Sequence, residues 1–389
     1  MKEVLCKNKC TGCSACMSIC PKKAIEMTYD NEGFLFPKID KSKCISCGLC
    51  KKVCPVINVK NNLSRNECYV AYSKTNNYKK ERTSSGGIFP LIARFVLEEN
   101  GIVIGAAFDK DNKLKHIAIE KVNDLNKLIG SKYIQSDLNN IFNYIKDNIV
   151  SRKILFVGTP CQVGGLKSFL RKDCDNLFTI DLVCHGVPSP KLFAKYVEYL
   201  EKTYEDKLIN YNFRDKSTGW DTYSNLATFK TKEIKELANN NYYMKLFLSD
   251  VALRNSCYNC NFKLGNKYSD LTLGDFWGVQ NNHKDMYNKN GVSAIIINSE
   301  KGKVIFDFIK NKMEYKECSL DDILKGNPCL KFSSKKHKNR DKFFNELDNI
   351  DFDKLNKKYY SKKTSFYIKV IYKIKKIVKG LIRNNEKNN

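Results

Sequence analysis

Two stretches decide how this chain is read: Cys10-Thr11-Gly12-Cys13-Ser14-Ala15-Cys16-Met17-Ser18-Ile19-Cys20-Pro21 and Cys44-Ile45-Ser46-Cys47-Gly48-Leu49-Cys50-Lys51-Lys52-Val53-Cys54-Pro55. Both follow the pattern Cys-x2-Cys-x2-Cys-x3-Cys-Pro, and they flank Asn31-Glu32-Gly33 almost symmetrically. Three thiolates two residues apart wrap three corners of a cubane, and the Cys-Pro turn directs the fourth away towards the twin run. Gly12 and Gly48 relieve crowding where backbone amides approach sulfur. Zinc prefers two separated cysteine pairs closing one tetrahedron, so four thiolates in so short a run, repeated, read as iron–sulfur ligands.

Over residues 1 to 57 this pattern resembles the bacterial dicluster ferredoxins, in which the fourth Cys of each run ligates the other cluster. The resemblance implies one [4Fe–4S] cluster on Cys10, Cys13, Cys16 and Cys54. A second [4Fe–4S] cluster falls on Cys44, Cys47, Cys50 and Cys20.

The chain has 389 residues, of which 17 are Cys, and its apolar share of 42% is that of a folded protein. It opens Met1-Lys2-Glu3 and reaches Cys6 with no apolar h-region, and no apolar run is long enough to span a bilayer. A cytoplasmic chain with reduced thiols is therefore expected, its cysteines being metal ligands rather than disulfides. The net charge of +26 is only partly offset by clusters of about −2 each. The remainder suits an anionic cofactor, an acidic partner, acidic lipid or nucleic acid. No nucleic-acid recognition module is recognisable, so nucleic acid is not expected as a partner.

Beyond a ferredoxin domain at 1–60, strand-like and helix-like segments alternate. Strands are expected at 69–72, 102–108, 154–157, 180–183, 209–214, 226–230, 271–276 and 294–297. Helices are expected at 84–97, 138–149, 164–170 and 192–204. The class is α+β / α/β: a ferredoxin fold, a mixed α/β body with both faces of its sheet covered, and a C-terminal amphipathic helix. The body divides into modules 68–188 and 189–345, followed by a basic tail at 346–389.

Several islands in the body carry chemistry. Thr83-Ser84-Ser85-Gly86-Gly87 opens a helix, which suits a phosphate or flavin edge, or is an ordinary cap. Gly130 to Ser136 holds Lys132 and Tyr133, fitting a flavin, an anionic substrate or a surface loop. Gly158-Thr159-Pro160-Cys161-Gln162 and Cys184-His185-Gly186-Val187-Pro188 each follow a strand. With Cys257-x2-Cys260, Cys161 and Cys184 make four ligands for a third [4Fe–4S] cluster, with zinc as the alternative. Cys6, Cys68, Cys174, Cys318 and Cys329 lack ligand-like spacing.

These islands, with Gly274-Asp275-Phe276-Trp277-Gly278, resemble the beta subunit of coenzyme F420 (5-deazaflavin) hydrogenases and dehydrogenases over residues 68 to 335. The resemblance implies FAD, with Ser84, Ser85, Gly86, Gly87, Lys132 and Tyr133 in the flavin region, beside Thr83 and Thr159. It also implies that Cys161, Cys184, Cys257 and Cys260 hold a cluster. FAD converts between one-electron carriers and hydride chemistry. The expected function is an iron–sulfur flavoprotein oxidoreductase passing electrons between its clusters and a two-electron substrate or coenzyme, such as 5-deazaflavin. The alternative is a non-catalytic electron-transfer subunit for a partner enzyme, for example in polysaccharide biosynthesis. His185 either relays a proton, bonds a cluster sulfur or simply packs. Trp277 and Phe276 either wall the flavin or form a buried pair. In the tail, apolar residues recur at helical spacing among lysines over 366–383. That pattern suits peripheral contact with an anionic membrane at its inner face, or packing on protein.

Overall fold

The computed structural model describes residues 7–59, 67–75 and 82–360. The expected amphipathic helix at 366–383 lies outside them. Near the N-terminus, strands β1 (Ile25–Tyr29) and β2 (Leu35–Ile39) pair antiparallel, with Ile25 opposite Ile39. The turn between them is closed by Asp30, whose carboxylate accepts from the Glu32 and Phe34 amides. Each cysteine run winds into a single helical turn, Ala15–Ser18 in the first and Leu49–Lys52 in the second.

The body contributes β3 (Glu67–Ser73), β4 (Ile102–Phe108), β5 (Leu114–Ile119), β6 (Ile154–Gly158) and β7 (Leu177–Leu182). Next come β8 (Leu208–Asp215), β9 (Ser224–Phe229) and β10 (Glu233–Leu237), then β11 (Leu271–Asp275), β12 (Ser293–Ile297) and β13 (Met313–Cys318). An eight-stranded sheet runs in the order β13-β3-β12-β11-β7-β6-β4-β5, and β10-β9-β8 form a separate antiparallel sheet. The fold is thus mixed α/β. The four central strands β11, β7, β6 and β4 are parallel, with antiparallel partners outside them. The large sheet draws strands from both sides of residue 188.

The central strands are apolar on both faces because helices cover both. Val103, Leu155, Phe178 and Ile180 pack with helices Ile88–Glu98 and Glu300–Ile309. Their neighbours Ile102, Ile104, Ile154, Phe156 and Leu177 face helices Ile141–Asn148 and Pro160–Leu170. Cys13, Ala15 and Val53 of the cysteine-rich region join this second core. A third core unites β8 and β9 with helices Pro190–Tyr204, Tyr242–Leu248, Arg340–Glu346 and Phe352–Tyr359.

Several elements depart from the sequence expectation. The helix placed at 164–170 begins at Pro160, because Thr159 and Gln162 form a reciprocal capping box with Pro at the first helical position. Strands β5, β10 and β13 and helices Tyr242–Leu248 and Glu300–Ile309 are additions to it. β13 is an edge strand exposing the consecutive residues Tyr315, Lys316 and Glu317, so its apolar alternation is weak.

The cysteine-rich region docks closely on the body. A Cβ on Gly165 would lie 2.8 Å from Cys13 Cβ and 2.9 Å from its sulfur. Arg340, fully buried, donates to both carboxylate oxygens of Glu32, and Ser189 and Lys191 donate to the Glu32 and Asn31 carbonyls. Gly165→Ala is expected to cost about 1–3 kcal/mol by overpacking this seam. A thermal melt would show a lowered transition, with far-ultraviolet circular dichroism unchanged well below it.

Candidate functional site

The functional islands gather beyond the carboxyl ends of the parallel strands, where open α/β sheets hold ligands. β4 ends at Phe108, β6 leads into Thr159 and Cys161, β7 into Cys184 and His185, and β11 into Phe276 and Trp277.

The structure brings the cysteines together in three sets. Burial pushes the Cys13 thiol up to about 12, and Cys54 and Cys10 add to the rise. Cys16 is raised well above its ordinary value by burial and then by Cys13, Cys10 and Cys54. Cys20, Cys44, Cys47 and Cys50 line one small enclosure with Ile25, Ile39 and Leu49. These are the two groupings expected from the cross-over of each fourth cysteine. In the body, burial raises Cys161 well above its ordinary value, with Cys260, Cys184 and Cys257 adding to it. Burial likewise lifts Cys184 to about 12 and Cys257 to about 11.

Thiols this desolvated and this close resist ionising as a bare set, and a bound metal centre would supply the compensating positive charge. The residues present fit such a group. Ser14 Oγ, inside the first run, is buried without a hydrogen-bond partner in the protein, and the Thr11 hydroxyl is buried beside the Cys13 thiol. Gly12 has φ +71°, and a Cβ there would fall 2.6 Å from the Gln135 amide nitrogen and 2.9 Å from Leu35 O. Gly48 differs: no protein atom crowds it, and its φ of +75° accounts for the glycine. Among the described residues no three His, Cys, Asp or Glu side chains converge as tightly as one coordinated ion requires. A cubane sets its thiolates farther apart, at its corners.

A hydrogen-bonded chain buttresses the third set. His116, buried, has Nε2 3.1 Å from Val157 O, a pure acceptor, so Nε2 carries the proton. Nδ1 then accepts from the Ser136 hydroxyl at 3.0 Å, and Ser136 Oγ accepts from Gln162 Nε2 at 2.9 Å. Gln162 Oε1 accepts from the Thr159 amide, and the Thr159 hydroxyl lies 3.2 Å from Cys161 Sγ. Thr159 is therefore a helix cap touching a cysteine. His185, half-buried, pairs through Nε2 with Asp250 Oδ1 at 2.6 Å and sets its ring edge-on to Phe247. Nothing in the sequence marks Asp250, which is 65 residues away.

A cleft of about 840 Å³ opens beside the sheet. Arg82, Arg94, Lys127 and Lys132 line it, with Asn123, Asn126, Asn210 and Asn212 among the polar groups. Asn212 Nδ2 is buried there without a protein partner. Lys132 Nζ donates to the carbonyls of Leu128, Ile129 and Gly130, and burial lowers its pKa to about 7. The other residues expected at a flavin stand behind the cleft wall. Ser84 Oγ accepts from the Ser131 amide, and Ser85 Oγ donates to Val292 O. Gly86 donates its amide to Ser293, Gly87 precedes helix Ile88–Glu98, and Thr83 accepts from Lys216 Nζ. Lys216 also binds Ser85 O and Asn290 O, a role the sequence does not reveal.

Tyr133 belongs to an aromatic group instead, stacked on Phe247 and edge-on to Phe213. Its hydroxyl lies 3.5 Å from Arg214, which is fully buried and bidentate on Asp275. Trp220 donates to Asp275 and stacks on Trp277 with ring centroids 5.0 Å apart, while Phe276 is buried.

Comparison with known proteins follows this division of the chain. Residues 9–58 match the family model of the 4Fe-4S dicluster domain. Residues 151–323 match the family model for the carboxy-terminal region of the beta subunit of coenzyme F420 hydrogenase/dehydrogenase. The chain thus joins a region similar to dicluster ferredoxin domains to a body segment similar to that beta subunit's carboxy-terminal region. No curated protein matches. Among solved structures, it is similar to a chain of the F420-reducing [NiFe] hydrogenase complex from Methanosarcina barkeri, at 19% identity over 69% of this chain and 89% of that one, with a TM-score of 0.48. No helix among the described residues is long and apolar enough to cross a membrane.

Burial lowers the His116 pKa to about 4 from an ordinary 6.5. The unfolded chain therefore binds this proton more readily than the folded one. The stabilisation is fully present above pH 6.5 or thereabouts and is lost as pH falls towards about 4. Melting at pH 7 and pH 5 (about two units apart) should show a steeper acid destabilisation in the native protein than in His116→Gln, by on the order of 2 kcal/mol.

Proposed function

We propose that this chain is an iron–sulfur flavoprotein oxidoreductase that exchanges electrons between its ferredoxin domain and a two-electron substrate or coenzyme bound at the body. The observation that carries this reading is one helix, Pro160–Leu170. It bears Cys161 at its N-terminal end and presses Gly165 against Cys13. The first and third cysteine sets are therefore joined by about one turn of helix, roughly 6 Å of rise. A ferredoxin docked this closely on a second cysteine set is built to hand electrons inward.

In this reading Cys10, Cys13, Cys16 and Cys54 hold one [4Fe–4S] cluster and Cys20, Cys44, Cys47 and Cys50 another. Cys161, Cys184, Cys257 and Cys260 hold a third, with a single zinc ion as the alternative occupant. FAD, when bound, supplies the conversion between single electrons and a hydride. The basic cleft suits its diphosphate: Arg82, Arg94 and Lys127 give charge-assisted donors, and the orphaned Asn212 amide gives another. Ser84 fixes the Ser131 loop from behind, and Lys216 fixes Thr83 and Ser85. Asp250 orients the His185 ring beside Cys184, where it can hold or move a proton. The deazaflavin after which the matched family is named is one candidate coenzyme.

Iron and flavin counted per chain in anaerobically reconstituted protein test this. About twelve iron atoms and one FAD are expected, and Cys161→Ser should leave about eight. Arg82→Ala combined with Arg94→Ala should weaken flavin retention ten- to a hundredfold, by roughly 1.5–3 kcal/mol, with iron unchanged. Eight iron atoms and no flavin in the native protein would reduce the body to a partner-binding module.

A further inference from the structure

Among the described residues, three arginines are almost completely buried: Arg214, Arg254 and Arg340. Arg214 pairs with Asp275, and Arg340 with Glu32. Arg254 is different. Its Nε donates to Cys10 O at 2.8 Å, one terminal nitrogen to Leu35 O at 2.9 Å, and the other to Gln135 Oε1 at 3.3 Å. All three acceptors are neutral, and among the described residues no carboxylate forms an ion pair with it. The guanidinium carbon lies over Phe36, 4.0 Å from the ring centroid, with Phe34 at 5.4 Å. A Cβ on Gly12 would fall 3.3 Å from its Nη1, so it packs on the backbone inside the first cysteine run.

The main chain of the same residue serves the third set. Arg254 N donates to Val187 O, three residues past Cys184, and Arg254 O accepts from the Cys257 amide at 2.9 Å. One residue thus holds Cys10 through its side chain and Cys257 through its carbonyl. A buried cation with only neutral partners is costly unless negative charge lies close by. Thiolate-ligated clusters, of about −2 each, are that charge.

We propose that Arg254 is the positioning residue that sets the first cluster against the third, and that its buried charge raises the reduction potential of the first. The inference rests on the reading of the three cysteine sets given above. Reduction adds an electron beside a fixed positive charge, so removing that charge makes reduction harder.

The test is an EPR-monitored redox titration of reconstituted full-length protein, native, Arg254→Gln, Arg254→Lys and Arg340→Met. Iron is counted first. Fewer than about twelve iron atoms in the native protein, or no loss in Cys161→Ser, sinks the three-cluster reading itself. With iron intact, Arg254→Gln should shift the electron-sharing equilibrium between the first and third clusters at least tenfold away from the first, about 59 mV for a one-electron couple. Arg254→Lys keeps the charge and should stay nearer the native value. Arg340→Met removes a charge already paired with Glu32 at the hairpin turn, and should leave the first cluster's potential nearer the native value. An unchanged potential in Arg254→Gln overturns the proposal, as does an equal shift in Arg340→Met. Should Arg254→Gln fail to load iron, a tenfold shift in Arg254→Lys overturns the role of charge, and a native potential there upholds it.

Discussion

Two adjacent glycines in one helix set the geometry on which everything else depends. Gly165 admits Cys13 on one side of helix Pro160–Leu170, and Gly164 admits the Phe262 ring on another, where a Cβ would fall 2.6 Å from the ring edge. Each glycine in a helix interior forfeits about 0.5–1 kcal/mol against alanine. That loss is offset by close approach: the first cysteine run and the segment after Cys260 both press on the helix that carries Cys161 in its first turn. The helix is held in turn by its capping box and by the Gln162–Ser136–His116 chain, which reaches back to β6 through Val157. Local backbone chemistry at Thr159 therefore fixes where a cysteine stands relative to a domain more than a hundred residues earlier.

Burial then governs the electrostatics. The thiols of the first and third sets are desolvated enough that burial is the largest influence on them, ahead of their mutual repulsion. The same low dielectric makes every fixed charge nearby count for more. Asp275 answers Arg214 and is itself satisfied by Trp220. Asp181 answers Lys267 in the sheet core. Against this pattern of paired charges, the Arg254 guanidinium has only carbonyl and amide oxygens for company. The cationic cleft is the solvent-facing counterpart, where Arg82 and Lys127 line open space.

What is legible in the sequence is local, and what it hides is not. The cysteine runs declare themselves because cluster ligation is encoded in spacing, and their crossed grouping follows from the Cys-Pro turns. Cys161 and Cys184 are legible as residues just past strand ends, whereas Cys257 and Cys260, in and after a short 3-10 turn, are legible only by their spacing. Thr159-Pro160-Cys161-Gln162 even spells out the capping box, yet apolar periodicity alone starts the helix four residues later. Asp250, Arg254 and Lys216 are invisible because their partners lie 65, 244 and 133 residues away. Lys132 and Tyr133, adjacent in sequence, diverge in space: one caps carbonyls at the cleft and the other stacks on Phe247. No periodicity separates neighbours in a loop whose direction is set by tertiary packing.

Covalent fusion explains proximity but not register. A tether raises the effective concentration of the ferredoxin domain near the body without choosing its orientation. Orientation comes from three separate devices spread around the seam. Glu32, at the tip of the β1–β2 hairpin, is gripped by Arg340; Cys10 and Leu35 are gripped by Arg254; and Cys13 fills the notch at Gly165. Three points not in line fix a rigid body, so the hairpin cannot rock without breaking a buried charged contact. The tip contact carries its own carboxylate, so its charge is balanced within the pair even though Arg340 also donates to Leu253 O. The Cys10 contact is not so balanced, and its stability is tied to what the cysteines hold. Docking and cluster loading are thereby one equilibrium: a domain emptied of negative charge leaves Arg254 buried against neutral groups, and the seam is weakest there.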